Sequence, residues 1–469
     1  MGPLETAKKF FRLSTTLEKM VLGFYDRLPL ALRYRISYGP TFFYWLAFLK
    51  EAENWDRDRT IAYQFEQLKN LLLHAMRHVP YYRKLFSDYG FNPGNLQCIE
   101  DIRILPYLDK ETVRDRTDEF VDERIPKNFL LRDRTSGSTG IPLTIFRTKE
   151  SQEIFEAFLI YSFNRIGYTT RSREVLFRGM IESGKSTNLP YLRYGNKLFL
   201  SARYVMVDEW LKRYVQMMTE FKPEFITGYP SVLTVISLFI KNKKLSFDKV
   251  KAIKYFAETL YDWQKDLIEG IFHSRIFSVY AMTEHSLFGS ECEYSMSQHL
   301  YPYYGITEFD ALGGGREEIV GSGFLNYAMP LIRYKTSDIA LRGEDFCPLC
   351  GRHHQLIDRI EGRINDYLIS REGKIIPRLM PWVKIFPNTR QYQFFQDEPG
   401  KAYLKIVRAE TYSEADTLYI KSKIAEMLGP LKDSIDIELV FVNGIPRKSS
   451  GKFIMVDQKL NIRDFAKTG

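Results

Sequence analysis

Between Leu143 and Glu284 the chain switches repeatedly between two hydrophobic rhythms. Short apolar runs ("LTIFRT", "EVLFRG", "EFITGYP", "AIKYFAE", "RIFSVYAMTE") alternate with longer stretches of helical spacing ("SQEIFEAFLIYSFNRIG", "DEWLKRYVQMMTEF", "SVLTVISLFIKNKK", "DWQKDLIEGIF"). Strands joined by connections of that length lie parallel with a helix as crossover, so this order predicts an α/β fold with a largely parallel sheet. Upstream, Ile61–Phe86 has helical spacing interrupted at Pro80, and Leu108–Val121 reads as a short charged helix capped by Asp109. From about Phe324 shorter strands with glycine turns take over. From about Asn365 strand and helix alternate again, with "EADTLYIKSKIAEMLG" the clearest helix. A chain of 469 residues exceeds one ordinary core and predicts two or three domains.

Net charge is +9, which favours nucleotides, acidic metabolites, anionic lipid or nucleic acid as partners, or simply keeps a large protein soluble. The amino-terminal stretch has scattered charges and no uninterrupted apolar core, so it does not read as a secretory signal, and a cytoplasmic protein is expected. "TFFYWLAFL" is short of the roughly 20 residues that span a bilayer. Basic and aromatic residues alternate from Lys8 to Tyr38, the pattern of a docked amphipathic helix in the first place and of peripheral membrane contact in the second. Four cysteines in a chain this long do not make a disulfide scaffold, but Cys347 and Cys350 form a C-x-x-C, which suggests metal or redox chemistry.

Two stretches fit a phosphate-binding loop. "GMIESGKS" (Gly179–Ser186) satisfies the Walker pattern literally, and Lys185 would make the chain a P-loop NTPase. That loop needs a helix starting at its Lys-Ser, whereas "TNLPYLRYGNKLF" follows, with Asn188, Pro190 and Gly195 close together. The second stretch is "RTSGSTGIP" (Arg134–Pro142). Its glycines, Gly137 and Gly140, let backbone amides turn toward one anion, and the hydroxyls of Thr135, Ser136, Ser138 and Thr139 add donors.

"RTSGSTGIP" resembles the phosphate loop T-S-G-[ST]-T-G-x-P of the adenylate-forming superfamily, which includes acyl-CoA synthetases, adenylation domains of non-ribosomal peptide synthetases and luciferases. Further signatures follow in order: "FAE" (Phe256–Glu258) resembles G-A-E, "YAMTE" (Tyr280–Glu284) Y-G-x-[ST]-E, and "RYKTSD" (Arg333–Asp338) R-Y-x-T-G-D. "IEGRINDYLI" (Ile360–Ile369) resembles the hinge stretch G-R-x-D-D, and "PRKSSGK" (Pro446–Lys452) the terminal P-R-x-x-x-G-K. "GYPSVL" and "CPLCGR" are similar to the phenylacetate–coenzyme A ligase branch, including relatives from capsular-polysaccharide gene clusters.

The resemblance implies a large multi-sheet N-terminal domain, residues 1–364, and a small mobile α+β domain, residues 365–469, that swings about the hinge. It implies ATP-dependent adenylation of a carboxylic acid, then acyl transfer to coenzyme A or to an amine or hydroxyl. No side chain has to act as a nucleophile, which suits a chain lacking a Ser-His-Asp or Cys-His signature. On this reading Thr135, Ser136, Gly137, Ser138, Thr139 and Gly140 hold the β- and γ-phosphates. Glu258 belongs to the segment packed on adenine, and Tyr280 stacks on the base. Thr283 meets the α-phosphate, Glu284 holds Mg2+, Asp338 binds both ribose hydroxyls, Arg363 approaches ribose or α-phosphate, and Lys452 bridges the two reacting groups. The chain departs from the family pattern at Asn365, Ser337 and Ala281, and Leu143 stands where many relatives carry lysine. Aromatics at Tyr161, Phe163, Phe177 and Tyr229 suit either an acid pocket or core packing.

Cys347 and Cys350 lie on one knuckle, and Cys292 with His299 forms a second pair far away in sequence. Two such pairs suit a closed tetrahedral Zn2+ that staples two segments, with His353 or His354 as substitutes for His299 and a buried thiol pair or redox dithiol as alternatives. Relatives in the same branch carry a similar Cys/His pattern. A non-enzymatic zinc-knuckle protein that binds nucleic acid through its positive charge is the second alternative to the ligase.

Overall fold

The computed structural model describes residues 38–135, 143–179, 181, 189–205, 207–313, 316–363, 368–373, 375–376, 386–428, 432–446 and 453–460. Contacts divide the chain into two compact units, one of Met1–Ser172 with Phe277–Ile360 and one of Arg173–Ile276 with Glu361–Gly469.

In the first unit the long helix Arg57–His78 starts where Asp56 accepts the Arg59 amide at 2.8 Å. Its face of Leu68, Leu71, Leu72 and Ala75 is wholly buried. Val79 is extended because Pro80 follows it, and Pro80 opens a second helix, Pro80–Asp88, at a position that needs no N–H. The proline break expected from sequence is therefore a corner between two helices. The buried face packs into one core with Leu108, Leu143, Ile145, Phe324 and Tyr334.

The sheet of this unit is antiparallel. Gly305–Gly313, Arg316–Gly323 and Tyr334–Arg342 form a meander. Phe288–Glu291 pairs with both Ile276–Ala281 and Gln298–Leu300, and the latter pairs also with Leu356–Arg363. The change to short strands with glycine turns thus comes at Phe288, ahead of the Phe324 expected from sequence, because the short strands around Gly289 and Gly305 show little periodicity. Gly321 and Gly323 are required by close approach. A Cβ at Gly323 would lie 2.2 Å from the His285 carbonyl oxygen, and one at Gly321 would lie 2.5 Å from Leu287. The meander can therefore press against the turn that follows strand Ile276–Ala281.

The second unit contains the parallel sheet that the alternating pattern predicts. Glu174–Arg178 lies between Lys197–Ser201 and Phe225–Gly228, and Phe225–Gly228 pairs with Ala252–Tyr255, all parallel. Tyr191–Tyr194 closes one edge antiparallel. Helices Asp208–Phe221, Pro230–Asn242 and Asp262–Phe272 supply the connections. Phe177 and Tyr229 belong to the core of this sheet, with Phe177 wholly buried. The carboxy-terminal residues form a four-stranded sheet. The hairpin Thr389–Glu398 and Lys401–Arg408 is central, Asp436–Phe441 and Val456–Gln458 add parallel strands outside it, and helix Glu414–Leu428 crosses over. Tyr261, from the segment before helix Asp262–Phe272, is buried in the same cluster as Leu368, Phe394 and Val456. Among the described residues no helix is long and apolar enough to cross a membrane.

One buried charge group ties the parallel strands. Glu174 is 2.7 Å from both Lys197 and Lys254 and accepts from the Thr227 hydroxyl. Burial alone would raise the Glu174 carboxyl, but Lys254 and Lys197 overcome it and hold it well below the usual range. Burial pushes the Lys254 ammonium down to about 8 against the pull of Glu174. Because the Glu174 pKa is depressed on folding, its contribution is complete above the ordinary glutamate value and fades as pH falls below it. Glu174→Ala leaves Lys254 buried without its carboxylate partner. It should cost about 3–5 kcal/mol in a denaturant titration at neutral pH, and a loss under about 1 kcal/mol would contradict this account.

Candidate active site and metal centre

Strands Leu131–Arg134 and Thr144–Arg147 pair antiparallel and bring the ends of the hydroxyl-rich loop together. The Thr135 amide donates to the Leu143 carbonyl at 2.9 Å, and the Leu143 amide donates to Thr135 Oγ1 at 3.0 Å. Thr135 therefore clasps the base of the loop. Leu143 is wholly buried and anchors it to the core. Ser136, Gly137, Ser138, Thr139 and Gly140 lie outside the described residues, as do Met180 and residues 182–186 of the Walker-like stretch. The next described element after Gly179 is the strand Tyr191–Tyr194.

Strand Ile276–Ala281 carries Tyr280 near its end, and a turn follows in which the His285 amide donates to the Met282 carbonyl at 3.1 Å. His285 has φ +55° and is buried, with its ring against the Tyr304 hydroxyl at 2.9 Å. Burial first, then the Arg147 charge, lowers its pKa to about 3, so the imidazole stays neutral. This turn presents Thr283 and Glu284, both half-buried. The Tyr280 hydroxyl donates to Asp338 Oδ2 at 2.9 Å, and the Tyr334 hydroxyl donates to Glu284 Oε1 at 3.1 Å. Two motifs read separately from sequence are thus bonded to each other twice, through one tyrosine each way.

Asp338 is set by its own strand. Its amide donates to Thr336 Oγ1 at 3.1 Å, while the Ser337 amide donates to Glu318 Oε1 at 3.1 Å. Ser337 sits at φ +65°, the left-handed region that favours glycine, which explains physically why the family motif has glycine there.

Sequence reading passed over Lys110. Its Nζ lies 3.6 Å from Glu284 Oε1, with both side chains largely buried. Asp109 accepts the Thr112 amide at 2.7 Å and so starts the short helix Lys110–Asp115. Leu108 is clamped beside the motif strand, its amide donating to the Arg333 carbonyl and its carbonyl accepting from Lys335, both at 2.9 Å. Only that long-range pairing brings Lys110 to Glu284, and no local spacing announces it.

In the second unit the Glu258 carboxylate accepts from the Ser231 amide, the Ser231 hydroxyl and the Phe453 amide. Arg363 closes strand Leu356–Arg363, its side chain being outside the described residues, and Lys452 is outside them too.

The first unit brings Cys292, His299, Cys347 and Cys350 together, with all four ligand atoms within 4.8 Å of one another. Cys292 Sγ and Cys347 Sγ are 3.9 Å apart, and Cys350 Sγ is 3.8 Å from His299 Nε2. Two sulfurs each 2.3 Å from a tetrahedral ion lie about 3.8 Å apart, so the donor set has the size and chemistry of a four-coordinate zinc site. Burial, then Arg165 and Arg352, lowers the His299 pKa to about 3, which keeps its ring neutral. His354 is buried beside His299 with ring centroids 5.4 Å apart, outside the four-residue group. Around the knuckle Arg352 holds Glu293 through two bonds of 2.6 Å and also pairs with Glu53. Arg165 joins Glu53 at 2.9 Å, and the Tyr161 hydroxyl donates to the same carboxylate, so Tyr161 serves this network.

Residues 368–459 match the family described as the CapK C-terminal domain. Protein CapK of Staphylococcus aureus is 27% identical over 400 residues, covering 83% of this chain and 86% of that protein. Phenylacetate-coenzyme A ligase of Thermus thermophilus is 26% identical over 349 residues, covering 70% and 75%. These relatives support the adenylate-forming superfamily, in its phenylacetate-CoA ligase-like branch, for this chain. The enzyme of the same name from Escherichia coli is 24% identical over 434 residues, with 86% and 96% covered. Among solved structures, 2-hydroxyisobutyryl-CoA ligase in the postadenylation state aligns with a TM-score of 0.67 at 18% identity, over 87% of this chain and 91% of that one. That likeness gives the ligase the two-domain α/β fold read from its sequence.

Proposed function

We propose that this ligase adenylates a small carboxylic acid with ATP and then transfers the acyl group to coenzyme A, or to an amine or hydroxyl of a polysaccharide precursor. The observation that carries the reading is the doubly bonded pair of motifs, with Tyr280 on Asp338 and Tyr334 on Glu284. Both carboxylates are held in fixed positions by these tyrosine hydroxyls. Asp338 suits the ribose hydroxyls as an acceptor. Glu284 suits Mg2+, a hard cation that prefers carboxylate oxygen; its two contacts named above both fall on Oε1. When bound, Mg2+ would offset charge on the polyphosphate. Lys110 supplies a positive charge beside Glu284, which matters in a chain with Leu143 in place of the loop lysine. Lys452 would bridge the acid's carboxylate and the α-phosphate, and residues 365–469 would act as the mobile domain between the two steps.

Cys292, His299, Cys347 and Cys350 would hold a structural Zn2+, because four protein ligands leave no position for substrate. The chain read as a P-loop NTPase has less support, since the next described element after the Walker-like stretch is the strand Tyr191–Tyr194.

Acid-dependent ATP–pyrophosphate exchange over a broad acid panel tests the reading. At least one acid should support exchange, Lys452→Ala should reduce it by more than a hundredfold, and Lys185→Ala should leave it within about twofold. Exchange that depends on Lys185 and not on Lys452 would overturn the assignment. For the metal, elemental analysis should find one zinc per chain, lost in Cys347→Ser together with several degrees of thermal midpoint. A metal-free chain of unchanged midpoint would remove zinc from the account.

A further inference from the structure

Glu258 is expected from the family resemblance only to lie in the adenine-facing segment, yet the contacts give it a second task. The Glu258 amide donates to the Phe256 carbonyl at 2.9 Å across Ala257, whose φ is +64°. That is a γ-turn of the positive-φ kind, rare and strained for any residue with a side chain. Such strain persists only where the surroundings over-determine it, and it concentrates at functional positions. Here the turn directly follows strand Ala252–Tyr255.

The two carboxylate oxygens are used differently. Oε2 accepts the Ser231 amide at 3.0 Å, in the first turn of helix Pro230–Asn242, whose own N-cap residue Tyr229 does not cap the helix with its side chain. A negative charge is favoured at that helix end. Oε1 accepts the Phe453 amide at 2.8 Å and the Ser231 hydroxyl at 3.2 Å. Phe453 directly follows Lys452 in sequence. On its other side the chain is fixed as well. The Gln393 side chain donates to the Ile454 carbonyl at 2.9 Å, the Phe394 amide donates to Met455 at 2.9 Å, and Val456–Gln458 joins the carboxy-terminal sheet. Tyr261, three residues beyond Glu258, is buried in the core of that sheet, with Trp263 packed against it.

We infer that Glu258 is a positioning residue for the adenylation step. By accepting the Phe453 N–H it fixes the backbone next to Lys452 to a helix end and a strained turn. The inference rests on the proposed adenylation chemistry. A hydrogen bond to a charged acceptor is about twice as strong as a neutral one, so one carboxylate is enough to bias this arrangement. A residue that only touched adenine would act on ATP binding. A residue that holds the chain beside Lys452 acts on turnover.

Glu258→Gln keeps the shape and one acceptor oxygen, but turns an NH2 group toward one of the two N–H donors. It should retain the thermal midpoint within about 2 °C and lower kcat for acid-dependent ATP–pyrophosphate exchange by roughly tenfold to a hundredfold, with the KM for ATP little changed. Acyl transfer from supplied acyl-adenylate should stay within about twofold of the unmodified chain. Phe453→Pro removes the donor from the other partner and leaves Glu258 with Ser231; it should give the same split and stands in if Glu258→Gln fails to fold. A rise in KM for ATP at constant kcat, or equal loss in both half-reactions, overturns the inference. Exchange by the unmodified chain with both variants unaffected sinks this inference alone. No exchange by the unmodified chain with any acid sinks the proposed function, and this one with it.

Discussion

Arg333 is the fixed point of the first unit. Its guanidinium is almost fully buried, paired with Glu308 at 2.7 Å, donating to the Arg103 carbonyl at 3.1 Å and to the Leu105 carbonyl, and stacked over the Tyr107 ring at 4.3 Å. A buried arginine needs all of its donors met, and here a carboxylate and two main-chain carbonyls meet them. Its backbone is at φ +54°, so the chain turns sharply into the motif strand at that residue. The segment 103–107 is thereby held beside residues 333–335, and Leu108 then pairs with the strand on both sides. Tyr334 and Lys110 reach Glu284 as a consequence. The arginine at the head of Arg333–Asp338 thus works on the protein itself, while Tyr334 and Asp338 bond to the Tyr280–Glu284 segment.

The parts of this architecture that could be read from sequence are those written in local patterns. The alternation of rhythms gave the parallel strands Glu174–Arg178, Phe225–Gly228 and Ala252–Tyr255 and the helices between them, but not the parallel strand Lys197–Ser201. Asp109 was visible as a cap and Pro80 as a break. Four candidate metal ligands were identifiable because cysteine pairs are scarce, and the fold brings them into one cluster. What was not legible depends on pairing across long sequence separations. Strands Phe288–Glu291 and Gln298–Leu300 are too short for period two to stand out. Lys110 looks like any first-turn lysine until Leu108 is seen against Arg333. Tyr161 and Phe177 are aromatic in a chain full of aromatics, and only burial and partners place one in an ion-pair network and the other in a core.

The positive-φ residues carry a related lesson. Ala257, His285, Arg333 and Ser337 all lie in or beside the motif segments, and none is glycine. Side chains in that region cost stability, and each of these positions is braced: Ala257 by the Glu258 contacts, His285 by Tyr304, Arg333 by Glu308 and Ser337 by Glu318. Of the eight non-glycine residues with positive φ among the described residues, these four fall at the motifs, while Lys222, Lys244, His273 and Asn388 lie elsewhere.

The tie between Arg333 and the Arg103 carbonyl spans 230 positions. A ribosome adding about 5–20 residues per second needs roughly 12–46 s to deliver the second partner after the first. During that interval the apolar face of helix Arg57–His78 has no Phe324–Tyr334 segment to cover it. The nascent chain therefore carries a large sticky surface for most of its synthesis, and yield in a cell should depend on holding chaperones more than on the final stability of the fold.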